Sequence, residues 1–416
     1  MKRIRIIFAI AMCYFLFAIL LNSVGTVILQ SIQTFGVTKT QAATLEGFKD
    51  IPIAIVSFLV ASFIPRVGYK FALLCALSLV GLVATFIPNI GHFWAIKLMF
   101  AAIGSAFAVV KVAVYALIGQ ITDDKKAHSS LLNTIEGIFM VGVLSGYWIF
   151  AAFFETQGEQ TSWLNVYYLL AAMIGVVALT VFTTSIESPK VPENVSNKDA
   201  FFNMLQLTFR PLVLVFILSA FLYVLIEQGV GSWLPTFNNE ILHLPVDVSV
   251  QLTSLFAASL ALGRLCAGQI LKKVSWYPFL NCALFGMAIL ILLTLPLTHS
   301  IEPRVIHSVF DAPAAAYLMP MIGFLMAPIY PLINSVMLSS LEKHQHAAMT
   351  GLIVVFSALG GTTGSMLTGV VFEKFGGQQA FYGALVPIAG ILITLFFSTV
   401  KPPDMNVTVR KFENEI

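Results

Sequence analysis

A few ionisable side chains stand inside long apolar stretches of this sequence, where a charge is costly. Glu46, Lys49 and Asp50 are spaced i, i+3 and i+4, so a helix would present all three on one face. On insertion scales an ionised side chain at mid-bilayer costs at least about 2.5–3.5 kcal/mol, so such residues face a partner or a cavity. The lysine can neutralise one acid, and the remaining carboxylate, Glu46 or Asp50, is a candidate proton site.

A second pair of charges lies at matching depth on two consecutive apolar stretches. Lys111 and Glu136 are about eight and seven residues from the same end, or ~10–12 Å at 1.5 Å per residue. One interpretation is a salt bridge. The other is a cavity in which Lys111 binds an acidic or hydroxylated solute, with Asn133 one turn from Glu136, while Glu136 exchanges a proton.

Glu227 has no basic neighbour in its own stretch, and Gly229 and Gly231 follow it, which favours a broken helix there. Glu227 is therefore a candidate for substrate or proton handling, or it braces a helix. Trp233 could stack on a sugar ring, or it belongs to an aromatic belt at the membrane interface. Two amides complete the substrate-contact candidates: Asn22 and Asn334.

The elements that must position these residues follow from composition. The chain has 416 residues, of which 58% are hydrophobic and 10% charged, whereas soluble domains carry about 25% charged residues. Soluble, disordered and collagen-like classes are excluded. Apolar stretches of about 20 residues span ~30 Å of hydrocarbon, and twelve are found, without the period-two alternation of barrel strands: 5–29, 41–64, 71–87, 94–121, 129–154, 163–185, 212–236, 250–271, 277–297, 314–339, 347–372 and 379–400.

The basic residues predict the orientation of these spans. Segments on the side of the N-terminus hold sixteen of the 23 Lys and Arg residues, and the opposite loops hold three. Cytoplasmic loops carry the excess of Lys and Arg, so both termini are predicted to be cytoplasmic, in a bacterial inner membrane. The net charge of +3 reflects this bias, and we infer no nucleic-acid partner from it.

A polar segment at 186–210 divides the spans into 1–185 and 211–400, with a tail at 401–416. At an offset of 218 residues, Gly142 and Gly146 match Gly360 and Gly364. The matched segments follow an even number of spans, so the repeats are parallel. The predicted fold is an all-α integral membrane protein with twelve transmembrane helices in two parallel six-helix repeats, a design used by secondary transporters.

Several motifs resemble the major facilitator superfamily. The loop Pro65-Arg66-Val67-Gly68 and its counterpart Gly263-Arg264 are similar to the inside-loop motif of that family. The resemblance implies a gating role for both arginines. The segment from Glu227 to Trp233-Leu-Pro235, and the stretch Ala327-Pro328-Ile-Tyr-Pro331, resemble the fucose/galactose/glucose–proton symporter group.

The sequence departs from that group at two positions. The group places an aspartate in the first span and a glutamate in the fourth, whereas here the first span has no acid and the fourth has Lys111. The leading hypothesis is a proton symporter for a small polar solute, a sugar or a related compound, with alternating access. The alternatives are a carrier of an organic anion or amino acid that uses Lys111, and an exporter or antiporter.

Motifs of other classes are absent from the sequence. It contains no Walker A, HExxH or GxSxG motif, so we expect no enzyme, no cofactor and no metal site. The expected partners are a small-molecule substrate, protons and the lipid bilayer, and the expected state is a monomer. The candidates for carrying the proton are the four acids within the spans: Glu46, Asp50, Glu136 and Glu227.

Overall fold

The computed structural model describes residues 2–122, 125–154, 162–186, 211–299, 301–302, 305–306, 308–339 and 346–400. Within these ranges the regular structure is entirely helical. The helices form twelve spans, named here span 1 to span 12. The end of the bundle at which span 1 begins, at Lys2, is called the N-terminal face, and the opposite end is called the far face.

Spans 1 to 6 form the first half of the molecule. Their bounds are Lys2–Asn22 with Val24–Phe35 (span 1), Lys39–Val67 (span 2), Tyr69–Ile90 (span 3), Phe93–Ile121 (span 4), Lys125–Ala151 (span 5) and Val166–Thr183 (span 6). A 3-10 turn, Ser162–Asn165, precedes span 6. Consecutive spans run antiparallel because the described connections between them are short.

Spans 7 to 12 form the second half. Their bounds are Pro211–Gly231 with Leu234–Glu240 (span 7), Val246–Ile270 (span 8), Trp276–Thr294 (span 9), Ala314–Leu318, Ile322–Met326 and Ile329–Ser339 (span 10), His346–Phe375 (span 11), and Gly377–Tyr382 with Leu385–Val400 (span 12). By length and hydropathy, eleven of the twelve described spans suit a bilayer. Span 2, which carries Glu46, Lys49 and Asp50, is the twelfth, and the prediction of twelve helices is confirmed.

Span 2 begins earlier than hydropathy predicts, because a capping box fixes its first turn. The Thr38 hydroxyl accepts a hydrogen bond from the Gln41 backbone N–H, and the Gln41 side chain accepts one from the Thr38 N–H, both at 3.1 Å. Lys39, expected in a loop, therefore lies in the first helical turn. This register brings its ammonium group to the contact between the two halves.

The two halves use the same glycine pairs at the same helix crossing. A methyl group on Gly142 would meet the Phe15 carbonyl oxygen of span 1, and one on Gly360 would meet the Phe221 carbonyl oxygen of span 7. Four residues on, Gly146 packs on Ile19 and Gly364 on Leu225. Small residues allow helix backbones to approach closely in a bilayer. The crossings confirm the parallel repeat predicted from the 218-residue offset.

The halves meet in the part of the bundle nearer the far face. Span 2 packs on span 11, where Gly47 lies against Thr362. Span 5 packs on span 8, and an apolar cluster joins them: Val143, Tyr147, Ala151, Val250 and Ala257. Contacts of this kind close the bundle toward the far face.

The glycine crossing gives a first testable prediction. We expect Gly142→Ala to lower the free energy of unfolding by about 1–3 kcal/mol, the usual cost of overpacking, because the new methyl group meets the backbone of span 1. The measurement is the Tm in detergent. Gly137→Ala is the matched control, since no atom lies within 4 Å of its added carbon. Equal Tm values for the two variants would contradict the tight crossing.

Candidate functional site

A cavity of about 200 Å³ lies between the two halves. Polar side chains reach its surface from both sides: Asn22, Lys49 and Tyr147 from the first half, and Glu227, Gln228, Ser232 and Arg264 from the second. Phe139, Val143 and Phe256 supply part of its apolar surface. A concave space in which several polar groups converge among apolar side chains is typical of a ligand site.

Spans 1 and 7 are both interrupted on the far-face side of this cavity, and their contact there closes it. Span 1 is interrupted at Ser23, whose hydroxyl donates to the Leu20 carbonyl oxygen at 2.7 Å. Span 7 is interrupted after Gly231, where the glycines of the sequence predicted a break. A methyl group on Gly25 would lie 2.7 Å from the Ser232 carbonyl oxygen. The two backbones therefore cross in direct contact above the cavity.

The three charged residues of span 2 form a buried cluster beside the cavity. Glu46, Lys49 and Asp50 are 0%, 5% and 8% exposed. The Lys49 ammonium pairs with Glu46 Oε1 and lies 3.5 Å from Asp50 Oδ1. This is the internal neutralisation that the i, i+3, i+4 spacing predicts. Two carboxylates and one ammonium leave the cluster one negative charge in excess when all are ionised.

The second half of the molecule completes this cluster. The Ser232 hydroxyl lies 2.9 Å from Glu46 Oε2 and 3.1 Å from Gln228 Oε1, and it can donate to either oxygen. Asp50 Oδ2 lies against Gly361 of span 11, where a methyl group would collide with the carboxylate. The cluster is thus built on span 2 and enclosed by spans 7 and 11.

Lys111 and Glu136 do not form the salt bridge that their equal depth suggested. The Tyr115 hydroxyl donates to Glu136 Oε1 at 2.8 Å, and Lys111 Nζ lies 5.9 Å from the Tyr115 ring centroid. Among the described residues, no carboxylate oxygen lies within 4 Å of Lys111 Nζ. Tyr115, one turn after Lys111, is not among the residues predicted from the sequence. Asn133 is exposed on span 5.

Glu227 lines the cavity and is also braced by a neighbour. The Tyr223 hydroxyl lies 3.3 Å from Glu227 Oε1, and the Tyr223 ring stacks on that of Tyr330 at 5.4 Å. The Tyr330 hydroxyl is 2.9 Å from the Ser357 hydroxyl. The two interpretations of Glu227 are therefore compatible, since one carboxylate both contacts the cavity and holds a tyrosine.

Three further candidates lie at different places. Asn22 lines the cavity, and its Nδ2 donates to the Ala18 carbonyl oxygen at 2.9 Å. Trp233 is fully buried and donates to the Ser365 carbonyl oxygen at 3.0 Å, away from the cavity lining and from the membrane-interface position considered above. Asn334 has a buried Oδ1 without a hydrogen-bond partner in the described part of the chain.

One of the two arginines with a predicted gating role lies at the cavity. Arg264 is exposed on span 8 and lines the cavity together with Glu227. The side chain of Arg66 lies outside the described residues.

Polar contacts join the halves at the far face. Lys39 Nζ lies 3.1 Å from Glu240 Oε2 and 5.4 Å from the Phe372 ring centroid. The Thr40 backbone N–H donates to Glu373 Oε2 at 2.8 Å, and Gln33 Nε2 donates to Asn239 Oδ1 at 3.0 Å. Each contact links the first half to the second. This conformation is therefore closed at the far face.

The ion pair at the far face gives a second prediction. Lys39→Glu or Glu240→Lys alone should favour opening there, because each places like charges together. An exposed pair is worth about 0–1 kcal/mol, so we expect a change of up to about fivefold in the open population. The readout is crosslinking of Gln33→Cys to Asn239→Cys in a protein whose exposed native cysteines are serines. The double variant, which exchanges the two charges, should restore crosslinking. If it crosslinks as little as either single variant, the proposed pairing is contradicted.

Comparison with known proteins identifies the family. The profile described as Major Facilitator Superfamily matches residues 10–364. A protein described as "Protein TsgA homolog" from Buchnera aphidicola subsp. Schizaphis graminum is 24% identical over 237 residues, which cover 56% of this chain and 55% of that protein. The chain thus spans about half the length of this curated relative.

Solved structures show the same fold. A bacterial homolog of the human lysosomal transporter Spinster, inward-facing and occupied, is similar with TM-score 0.73 and 15% identity over 96% of both chains. The E. coli fucose:proton symporter FucP is similar with TM-score 0.62 and 16% identity over 95% of this chain and 99% of that one. The superfamily suggested by the sequence motifs is confirmed by the profile match, and this chain belongs to the major facilitator superfamily of membrane transporters.

Proposed function

We propose that the protein is a secondary active carrier that moves a small polar solute, a sugar or a related compound, by proton symport. One observation carries the proposal. The cavity between the halves receives ionisable and hydrogen-bonding groups from both of them, while the far face is closed. A site shared by two rocking halves is what alternating access requires. The FucP structure, whose description names a fucose:proton symporter, supports the same class of cargo.

The lining of the cavity supports a small polyhydroxylated solute. Asn22, Gln228 and Ser232 offer amide and hydroxyl groups, while Glu227 and Arg264 offer a strong acceptor and a strong donor. The volume of about 200 Å³ is below the ~300–1,000 Å³ of pockets for drug-sized ligands. A solute of a few polar groups matches both the size and the hydrogen-bonding capacity of this space.

The acids within the spans support proton coupling. Glu46, Asp50, Glu136 and Glu227 all lie on membrane-spanning helices. The excess negative charge of the span 2 cluster is costly in a site without bulk water, and a bound proton removes it.

The proposed arrangement in the membrane follows the distribution of Lys and Arg. The N-terminal face is cytoplasmic, in a bacterial inner membrane, and the far face is external. The halves 1–185 and 211–400 are joined by a cytoplasmic linker at 186–210, most of which lies outside the described residues, as does the tail 401–416. The carrier works as a monomer. On this assignment, the described conformation is closed to the outside.

Uptake into proteoliposomes tests the proposed function. A thermal-shift screen of sugars, organic acids, amino acids and nucleosides first finds a solute, since a ligand of the native state raises Tm. We expect an inward proton gradient to concentrate that solute, and a protonophore to abolish the accumulation. Accumulation driven only by an outward proton gradient would indicate antiport. No response to either gradient would contradict proton coupling.

A second candidate function is a carrier of an organic anion or amino acid, and the state of Lys111 favours it. Glu136 is bonded to Tyr115, so within the described residues the Lys111 ammonium has no carboxylate within 4 Å. An ammonium group on a membrane-spanning helix without a fixed counter-ion is available to a carboxylate of the cargo.

The substitution Lys111→Gln separates the two candidates. If the cargo is anionic, we expect uptake to fall by at least about tenfold, since hydrogen bonds to charged groups contribute about 1.5–3 kcal/mol. Lys111 and Glu136 are not among the residues that line the cavity between the halves, so an anionic cargo would meet Lys111 outside that cavity. Lys97→Gln is the matched control on the same helix, because Lys97 lies near the far-face end of span 4, over the rings of Phe48 and Phe93. Equal uptake by the two variants would indicate that Lys111 has a structural role and does not bind the cargo.

A further inference from the structure

We infer that the buried cluster on span 2 is the proton site, that Asp50 is the group that takes the proton, and that protonation there favours closure of the far face. The inference rests on the proposed proton coupling and deepens it. It adds which carboxylate titrates and which movement of the protein the proton controls.

The two acids of the cluster are not equivalent. Glu46 is fully buried, and each of its oxygens has a donor: Lys49 at Oε1 and the Ser232 hydroxyl at Oε2. Asp50 has one cationic neighbour within 4 Å among the described residues, the same Lys49, at 3.5 Å. Hydrogen bonds that favour the charged form are therefore concentrated on Glu46. Asp50 is left as the carboxylate with less compensation.

The groups that face the cluster from other spans do not supply the missing positive charge. Span 7 contributes Glu227, which is close enough to act on Asp50 electrostatically and carries the same sign. Span 5 contributes the phenol of Tyr147, and span 8 contributes Arg264, which acts electrostatically on Glu227.

Spans 4 and 11, the two that pack most extensively on span 2, are similar in this respect. Span 11 presents Gly361 to Asp50, and span 4 presents Gly104 to the Lys49 backbone, neither of which is charged. The lysines of span 4 lie elsewhere, Lys97 over the Phe48 ring and Lys111 near the Tyr115 ring. A proton on Asp50 is thus the simplest way to bring the enclosed cluster to neutrality.

The position of the cluster links that proton to a movement. Ser232, Gln228 and Gly361 enclose Glu46 and Asp50 from the second half, close to the far-face contacts. Opening the far face withdraws this cover and admits water, which stabilises the ionised carboxylate. Closing it expels water and favours the neutral form. By thermodynamic linkage, a proton that binds better to the closed state must favour closing.

Lys49 also distinguishes a proton from a metal cation as the coupling ion. Its ammonium lies between the two carboxylates, where a bound sodium ion would otherwise sit. A second cation beside it would be repelled at contact distance, whereas a proton adds to one oxygen and needs no coordination shell.

The experiment measures closure without any solute. The Gln33→Cys and Asn239→Cys pair, in reconstituted full-length protein with its exposed native cysteines replaced by serine, is crosslinked from about pH 8 to about pH 5, where one linked proton changes the closed-to-open ratio by up to about tenfold per pH unit. We expect crosslinking to rise as the pH falls, and replacing sodium by choline to have no effect. Crosslinking independent of pH, or dependent on sodium, would overturn the inference.

Variants identify the titrating group. Asp50→Asn, which mimics the protonated acid, should crosslink at the acidic level throughout the pH range, and Asp50→Glu should restore a pH dependence. Glu302→Gln, in an exposed loop, is the control for loss of an acid and should follow the unmodified protein. An Asp50→Asn protein that still follows pH would overturn the assignment. Loss of the pH dependence of crosslinking in Glu227→Gln would also overturn the assignment to Asp50. This second test does not require the Asp50 variant to fold.

The experiments distinguish failure of the Asp50 assignment from failure of the symport proposal. The closure assay contains no cargo, so its outcome does not depend on whether a transported solute is found. If the unmodified protein accumulates a solute in a proton gradient and Asp50→Asn does so equally, proton coupling stands and the Asp50 site is wrong. If no solute responds to the gradient while closure still follows pH through Asp50, the symport proposal is wrong and the site stands.

Discussion

The structure depends on the cost of placing unpaired charge in hydrocarbon. Span 2 carries Glu46, Lys49 and Asp50 at a depth where insertion of even one ion is unfavourable. The helix remains in the bundle because the lysine is shared between both acids and because span 7 adds a hydroxyl donor. Removing one member of a buried pair costs about 3–5 kcal/mol. The Ser232 hydroxyl, which helps to stabilise the buried charges of span 2, also joins the first half of the molecule to the second.

The internal repeat supplies the scaffold, and departures from it supply the chemistry. Gly104 packs on the Lys49 backbone in the first half, and Gly323 packs on the Phe256 backbone in the second. The place that holds a lysine in one half therefore holds an aromatic ring in the other, and both side chains line the cavity. Helix crossings are conserved between the halves because packing is repetitive, whereas the charged cluster occurs on one side. At this position the cavity has an ammonium group on one wall and an apolar ring on the other.

Most of the fold, and part of the site, could be predicted from the sequence. Apolar length gives the spans because the bilayer has a fixed thickness, and the spacing within span 2 gives the Lys49 pairing because a helix fixes which residues share a face. Contacts between distant segments could not be predicted in this way. Tyr115 takes the Glu136 oxygen that Lys111 was expected to hold, and a hydroxyl one turn away leaves no periodic signal. Trp233 faces the core rather than lipid, because the turn after Gly231 redirects it.

Two polar contacts between the halves differ in what they can control. The Lys39–Glu240 pair is 21% and 33% exposed, so water and salt compete with it and it contributes little to closure. The span 2 cluster is at most 8% exposed, and its ionisation changes the cost of closure by far more than a rim contact can. Apolar packing between spans 2 and 11 and between spans 5 and 8 makes the closed state compact in either case. We therefore expect opening and closing of the far face to depend mainly on the ionisation of the span 2 cluster. The Lys39–Glu240 pair then serves to align the two halves at that face.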